Sequence, residues 1–415
     1  MLCKNKIFIF VVFSFSLIIG YIFDENAGGG AKIDQKYLLE YIFKLSDNLN
    51  DGLTYFFSDF GTLIHSPVFY IIISFILKIS NSFLLTNILY IFLSCSLPLI
   101  FYSILKSKNN TNYDFLFAFS LIIFFSPYFR SSAIWLLGDN LSLIFFSLSI
   151  LFFIKTKNNS QKKENYFLCL LFLILCCYVR YYFAIFSIYY LIYFYKNLDK
   201  LFFLKLILFC LLLALPAFIY LYYIIDNYEF LKKLNSYGTF NYYTNGFIIC
   251  SIIFFYFIPF VILQINEIII YYKQNFIFLL YILILIIIFY FLHDFFTQSF
   301  YEFSFGGGIF IKLSNLLNIE TKLFICLINF FSFLVINFYF KDEKLNNYLI
   351  LFILILSFPL NIIFQKYFDP LFIIILFGLI NSKNLSNILI RKIKNLVIIY
   401  SFFISYFIFS IVYYL

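Results

Sequence analysis

The sequence predicts an all-α polytopic integral membrane protein, and three observations carry that expectation. The chain of 415 residues is 64% hydrophobic and only 12% charged, whereas a soluble domain is near half apolar and a quarter charged. Its apolar residues fall in repeated runs of roughly 15 to 24, close to the length a helix needs to cross a bilayer. Its basic residues collect in short segments between those runs, as expected where Lys and Arg mark the inner side of a membrane. No soluble fold buries so much apolar surface, and in lipid only helices and closed barrels satisfy their own backbone.

The runs lie at about 7–23, 67–79, 83–105, 114–129, 133–154, 166–179, 181–195, 202–225, 247–266, 275–292, 322–340, 347–363, 371–381 and 395–413. The first follows Lys4 and Lys6, and "NAGGGA" follows it in turn. A retained first helix is the expectation, and a cleaved signal peptide is the alternative. The short segments at Lys106 and Lys108, at "KTKNNSQKKEN" (155–165) and at "RKIK" (391–394) are strongly basic, which places them inside. Segment 24–66 instead carries seven acids, Asp24, Glu25, Asp34, Glu40, Asp47, Asp51 and Asp59, and three lysines. It is expected outside, as the first outer loop.

This assignment is consistent if 67–105 crosses only once in net terms, as a broken or re-entrant helix. The count is then 11 to 14 transmembrane helices, with 13 as the best value, in one transmembrane domain over 1–415 without a separate soluble domain. Within 24–66, "DQKYLLEYIFKLSD" sets Tyr37, Leu38, Tyr41, Ile42 and Leu45 at helical spacing. It predicts an amphipathic helix lying on the membrane surface, with Asp34 as N-cap and Lys36 opposite Glu40.

Several function classes fall away at this stage. The net charge of +9 sits in topology-setting loops, and no basic face interleaved with aromatics is open to water, so nucleic acid is not an expected partner. The 66 Phe and 37 Tyr, with many Ile, Asn and Lys, fit an AT-rich coding sequence better than an aromatic function. The eight cysteines, Cys3, Cys95, Cys169, Cys176, Cys177, Cys210, Cys250 and Cys326, contain no CxxC pair, and all but Cys3 lie in apolar runs. Neither zinc nor a disulfide framework is expected. His65 and His293 are too sparse for a metal site. A divalent cation beside Asp24 and Glu25 is compatible with the sequence but not required by it.

Sorting the loops by Lys and Arg has a by-product. Asp24, Glu25, His65, Arg130, Trp135, Asp139, Arg180, His293, Asp294, Glu302, Lys366 and Asp369 all fall on the outer side. Ionisable groups at a membrane border are costly and often mark a functional site. Four segments concentrate them: "FDEN" (23–26), "HSPVFYIIISFIL" (65–77), "RSSAIWLLGDNLSLIFFSLSILFF" (130–153) and "CYVRYYFAIF" (177–186). In the C-terminal third, "FLHDFFTQSFYEFSFGGGIFIKLS" (291–314) carries His293, Asp294, Glu302 and Gly306–Gly308, and "FQKYFDPLFIII" (364–375) carries Gln365, Lys366, Tyr367 and Asp369. The glycines form either a flexible loop or a close approach to phosphate or sugar.

In this order and spacing, the four N-terminal segments resemble the GT-C superfamily of membrane glycosyltransferases. They are most similar to the branch of protein O-mannosyltransferases and the bacterial lipid A aminoarabinose transferase. The matches are Asp24–Glu25 closing a span, His65-Ser66-Pro67-Val68-Phe69-Tyr70 opening the next, Arg130 followed by Asp139, and Arg180 in a short junction. Together they cover about residues 7–195. Ser66 replaces an expected proline, and "AGGGAKID" departs from the usual continuation of the acid pair.

The resemblance implies an outward-facing site in a bacterial inner membrane and a sugar donor on a polyprenyl phosphate. The acceptor would be a glycan, a lipid or a protein. Asp24 would be the catalytic base, with Glu25 second. Arg180, Lys366 and Arg130 would bind the donor phosphate. His65 and Asp139 would orient base or acceptor, although Asp139 reads equally as a helix cap and Arg130 as an interfacial anchor. His293, Asp294, Glu302 and Tyr367 would belong to a site loop. A flippase or transporter of lipid-linked glycans, or a polymerase of them, is the alternative. The charge assignment has its own test: a reporter fused after Lys163 should read as cytoplasmic and one at Asn50 as external, and the reverse result would overturn the threading.

Overall fold

A computed structural model describes residues 2–58, 66–109, 113–226, 242–296, 306–358, 362–390 and 393–414. All regular structure among these residues is helical. They form two compact units, Met1–Ser236 with Phe403–Leu415, and Tyr237–Phe402. Among the described residues, six helices are long and apolar enough to cross a membrane, or up to eight if two bent helix pairs each count as one span.

The first unit begins with α1 (Leu2–Ile22), α2 (Ala31–Asp47) and α3 (Leu49–Ser58). Then come α4 (Val68–Ser80), α5 (Phe83–Ser94) and α6 (Ser96–Lys108). The stretch from α4 to α6 is broken as expected. Asn81 takes a left-handed conformation that ends α4, and Ser82 caps α5 through its bond from the Leu85 amide. Helix α4 has 13 residues, short for a span, whereas α5 and α6 together make a 26-residue apolar segment.

Helix α7 (Tyr113–Ser120) leads through a 3₁₀ turn at Leu121–Phe125 into α8 (Pro127–Ile134). The axis bends by 68° there, at Pro127, with Ser126 capping α8. Helices α9 (Gly138–Asn158) and α10 (Glu164–Val179) follow as an antiparallel pair. A 3₁₀ turn (Tyr181–Ile185), α11 (Phe186–Asn197) and α12 (Lys200–Asp226) complete this part.

The second unit holds α13 (Tyr242–Gln274), kinked at Gln264 beyond Pro259, then α14 (Phe276–Phe296) and α15 (Gly308–Leu316). Helices α16 (Thr321–Phe340), α17 (Lys344–Leu356), α18 (Leu371–Gly378), α19 (Lys383–Ile390) and α20 (Ile393–Tyr414) follow. Helices α13 and α16 pack through stacked Phe257 and Tyr339 rings 5.0 Å apart and through Ser332, which donates to the Cys250 carbonyl at 2.6 Å. Phe403 onward belongs to the first unit.

Two expectations for segment 24–66 need correction. Helix α2 begins at Ala31 with Gly30 as its N-cap, so Asp34 lies inside the first turn. Protein covers most of its apolar face: Tyr41, Ile42 and Leu45 are buried in a core with Phe56, Phe69, Tyr70 and Ile73, while Tyr37 stays exposed. The reason is α3, which doubles back, together with α4: both give that face a protein partner. Gly52 makes the approach tight, since a Cβ there would stand 2.6 Å from the Leu45 Cα. Glu40 meets Lys44 at 3.2 Å and accepts from the Tyr55 hydroxyl at 2.6 Å. The bond to Glu40 pushes the Tyr55 phenol above its ordinary pKa, against the nearby Lys44.

The turn between α8 and α9 is held by several buried hydrogen bonds. Leu136 has a left-handed backbone, φ 55°, a costly state for a bulky residue. Ser132 holds it there. Its hydroxyl donates to the Leu137 carbonyl and accepts from the Asn140 amide, each at 3.0 Å. Buried Tyr90 donates to the same Leu137 carbonyl, and Asn140 donates to the Phe129 carbonyl at 3.0 Å. Ser132→Ala leaves a buried amide without its acceptor and should cost about 1–3 kcal/mol. Thermal unfolding of the purified variant would read this as a lowered midpoint, and an unchanged midpoint would show that the turn does not depend on Ser132.

Candidate functional site

The end of α1 is where the acid pair is placed, and the two acids go to different environments. After Ile22 the chain curls back: the Glu25 amide donates to the Gly20 carbonyl at 2.8 Å, and Asp24 sits at φ 53°. Asp is among the few L residues that tolerate this region. The curl turns Glu25 inward and leaves Asp24 outward.

Glu25 meets Arg130 in a two-pronged pair, Nε to Oε1 at 2.7 Å and Nη2 to Oε2 at 2.5 Å. The side chains are only 11% and 6% exposed. The guanidinium also donates to the Ser16 hydroxyl at 2.9 Å and the Ser16 carbonyl at 3.0 Å, with a longer contact of 3.5 Å to the Phe124 carbonyl. Its plane lies 4.7 Å from the Phe407 ring centre. Gly20 makes room for the pair, because a Cβ there would stand 2.7 Å from a Glu25 oxygen and 3.2 Å from Arg130. With its donors directed at Glu25, Ser16 and Phe124, Arg130 has none to offer a phosphate. The phosphate-binding role implied for it gives way to holding Glu25.

Asp24 is 66% exposed and pairs with Lys32 at 2.8 Å. It opens onto a cleft of about 300 Å³ bounded also by Asn26, Gly30, Lys32, Lys36 and Trp135. Trp135 anchors the cleft: its indole N–H donates to the Glu25 carbonyl at 3.0 Å, and the Lys32 ammonium lies 5.1 Å from its ring. Helix α20 covers the far side of the loop. The Asn26 amide donates to the Tyr414 carbonyl at 3.2 Å, and Ser410 donates to the Ala27 carbonyl at 2.6 Å.

Asp139 and Arg180 form a second pair, Nε to Oδ1 at 2.8 Å and Nη2 to Oδ2 at 3.0 Å. The cap reading of Asp139 is corrected here. Leu137 is the N-cap of α9, without a side-chain bond, and Asp139 turns to Arg180 instead. Burial works against the Arg180 charge, but the Asp139 carboxylate together with Tyr182 and Tyr70 outweighs it, so the guanidinium pKa rises above its ordinary value. Both pairs belong to the same end of the first unit, since Arg130, Trp135 and Asp139 flank a single turn. The opposite end carries Lys106, Lys108, Lys155 and Lys157, joined where Asn158 donates to the Ser107 carbonyl at 2.8 Å. Helix α9, with 21 residues, separates the ends by about 30 Å, the thickness of a bilayer core.

In the second unit, two segments that the sequence left apart come together. Gly306, Gly307 and Gly308 all have positive φ, and the Gly307 amide donates to the Ile363 carbonyl at 2.6 Å. Gln365 accepts from the Ile309 amide at 3.3 Å and donates to the Tyr256 hydroxyl at 3.1 Å. The glycines therefore form a bonded left-handed turn leading into α15. Lys366 is exposed beside Phe364 and Tyr367, and Tyr367 stacks on Phe358 at 5.2 Å. Asp369 is buried.

His65 and Glu302 lie outside the described residues, and His293 and Asp294 lie on the last turns of α14, where only the backbone is described. No three of His, Cys, Asp and Glu converge as metal ligands among the described residues. Comparison of the chain with protein-family models, curated proteins and solved structures gave no match. Sequence reasoning missed Lys32 and Lys36, whose one signal was a pair of lysines four residues apart at the start of the amphipathic helix.

The Glu25–Arg130 pair can be checked by stability. Arg130→Met strands a buried carboxylate and should cost about 3–5 kcal/mol. Adding Glu25→Gln to Arg130→Met should recover part of that loss in thermal unfolding. Additive losses would mean the two side chains are not coupled.

Proposed function

We propose that this chain is an inverting membrane glycosyltransferase of the GT-C type. It moves a sugar from a polyprenyl phosphate to a glycan, lipid or protein acceptor on the outer side of a bacterial inner membrane. The observation that carries the reading is the division of labour in the acid pair. Glu25 is locked by Arg130, while Asp24, one residue away, faces a cleft lined by Asn26, Lys32, Ile33, Lys36 and Trp135. A positioned carboxylate beside an acceptor site is what general-base catalysis needs.

In the proposed step the acceptor oxygen bonds to the anomeric carbon and its proton passes to the Asp24 carboxylate. The bond from that carbon to the donor phosphate oxygen breaks, and its electron pair leaves with the polyprenyl phosphate. Glu25 and Arg130 fix the backbone that presents Asp24. The leaving phosphate needs fixed positive charge, and Arg180, in the same unit as Asp24, is the candidate. Asp139 keeps Arg180 in place. No resident cofactor is required, and a divalent cation near Asp24 remains compatible with the reading.

Thirteen crossings use α1, the α5–α6 segment, the bent α7–α8 pair, α9 to α14, α16, α17, the bent α18–α19 pair and α20. The enzyme is favoured over a flippase or transporter because transport places ionisable groups near mid-span. The two ion pairs described above sit instead at helix ends, opposite the lysine-rich end of α9.

The test is a mass comparison of surface glycans and lipid-linked intermediates from the wild type, a deletion strain, and the deletion complemented with Asp24→Asn. One sugar should be missing in both the deletion and the complemented strain, with the Asp24→Asn protein inserted at normal levels. A complete lipid-linked glycan accumulating with no sugar missing would replace the enzyme by an exporter or polymerase.

A further inference from the structure

The end of the first unit opposite the acid pair carries more positive charge than its own carboxylates balance. Lys106 and Lys108 lie in the last turn of α6, Lys155 and Lys157 in the last turn of α9, and Lys162 and Lys163 just before α10. The bond from Asn158 to the Ser107 carbonyl draws the ends of α6 and α9 together. The acids at this end, Asp114, Asp199 and Glu164, each have another task. Asp114 pairs with Lys6. Asp199 accepts from the Phe202 amide at 2.8 Å. Glu164 stands in the first turn of α10, where the helix dipole favours it. Among the described residues, Lys106, Lys155, Lys162 and Lys163 have no carboxylate partner.

The ammonium groups are also held at a definite depth. Lys106 lies 5.0 Å from the Tyr113 ring centre, Lys155 4.6 Å from that of Phe152 and Lys163 5.0 Å from that of Phe202. Rings at helix ends keep these charges at the border between hydrocarbon and water rather than out in solution. A ring face attracts an ammonium but leaves it N–H donors for a second partner. The dipoles of α6 and α9 favour lysines at their C-terminal ends, whereas the dipole of α10 opposes Lys162 and Lys163 at its start. Topology asks only that basic residues lie on this side of the membrane. It does not ask that they gather around one junction whose acids are engaged elsewhere.

We propose that this end binds the headgroup of an anionic phospholipid in the adjoining leaflet, with its phosphate over the junction of α6 and α9. Charge complementarity selects the headgroup: a zwitterionic lipid brings an ammonium of its own, which the lysines repel. Depth selects a lipid over a soluble anion, because the rings hold the lysines where headgroups lie. The proposal needs the first unit to span a bilayer and is independent of the transferase reading.

The purified chain would be equilibrated in detergent micelles with equal amounts of phosphatidylglycerol and phosphatidylcholine, and the retained lipids identified by native mass spectrometry. Saturable retention of phosphatidylglycerol in preference to phosphatidylcholine is expected. Lys155→Gln should weaken that retention about fivefold, and Lys106→Gln added to it about twenty-five-fold, since each lysine near an anionic surface contributes about a factor of five. Lys155→Arg keeps the charge and should keep the binding. Lys36→Gln removes the same charge beside the acid pair and should change nothing. Equal retention of the two lipids would overturn the proposal and leave these lysines a role in topology alone. An equal loss in Lys36→Gln would also overturn it, by reducing the preference to net charge. Displacement of phosphatidylglycerol by inorganic phosphate would assign the surface to a soluble anion and remove the headgroup.

Discussion

The pair between Glu25 and Arg130 links parts of the chain that are far apart in sequence. A guanidinium with so little access to solvent is stable only if nearly all its N–H groups are matched. Here the acceptors come from the middle of α1 (Ser16), from the loop after it (Glu25) and from the turn before α8 (Phe124). One side chain therefore fixes where α1 stops, how the loop leaves it and how α8 lies against both. Removing either charge strands the other, so the geometry at the end of α1 is all or nothing. Gly20 belongs to the same constraint, because its missing side chain is the space the carboxylate occupies.

The turn at 135–137 extends this order to the second ion pair. Ser132 and Tyr90 both converge on the Leu137 carbonyl. That contact sets the start of α9 and hence the position of Asp139. Arg130 lies before this turn and Asp139 just after it, so two charged pairs with no common residue share a reference point. The strained backbone of Leu136 is retained at a place where helix directions and charged groups are both decided.

Much of this was legible in the sequence. Length and apolarity gave the helical membrane class, and Lys and Arg alone sorted Asp24, Glu25, Arg130, Trp135, Asp139 and Arg180 to one side. What periodicity could not give was who pairs with whom. Glu25 finds Arg130 across 105 residues, and nothing local says that Asp24 will not do so instead. The choice depends on a backbone curl at Asp24 that only the packed structure defines. Helix α2 failed in a related way. Its amphipathic pattern was right, but an apolar face reads the same whether lipid or protein covers it, and α3 and α4 together were the unforeseen cover. The lysines of the cleft were hidden by composition, since 29 Lys and Arg in one chain make another two inconspicuous until a structure shows what they face.

Helix α20 adds an order along the chain. Phe407 lies over the Arg130 guanidinium, Ser410 ties down Ala27, and the Tyr414 carbonyl receives Asn26. The loop that carries the acid pair precedes the helix that closes over it by almost four hundred residues. A chain terminated before that helix would keep the residues of the cleft but lack the contacts of Phe407, Ser410 and Tyr414 with Arg130 and the acid-pair loop.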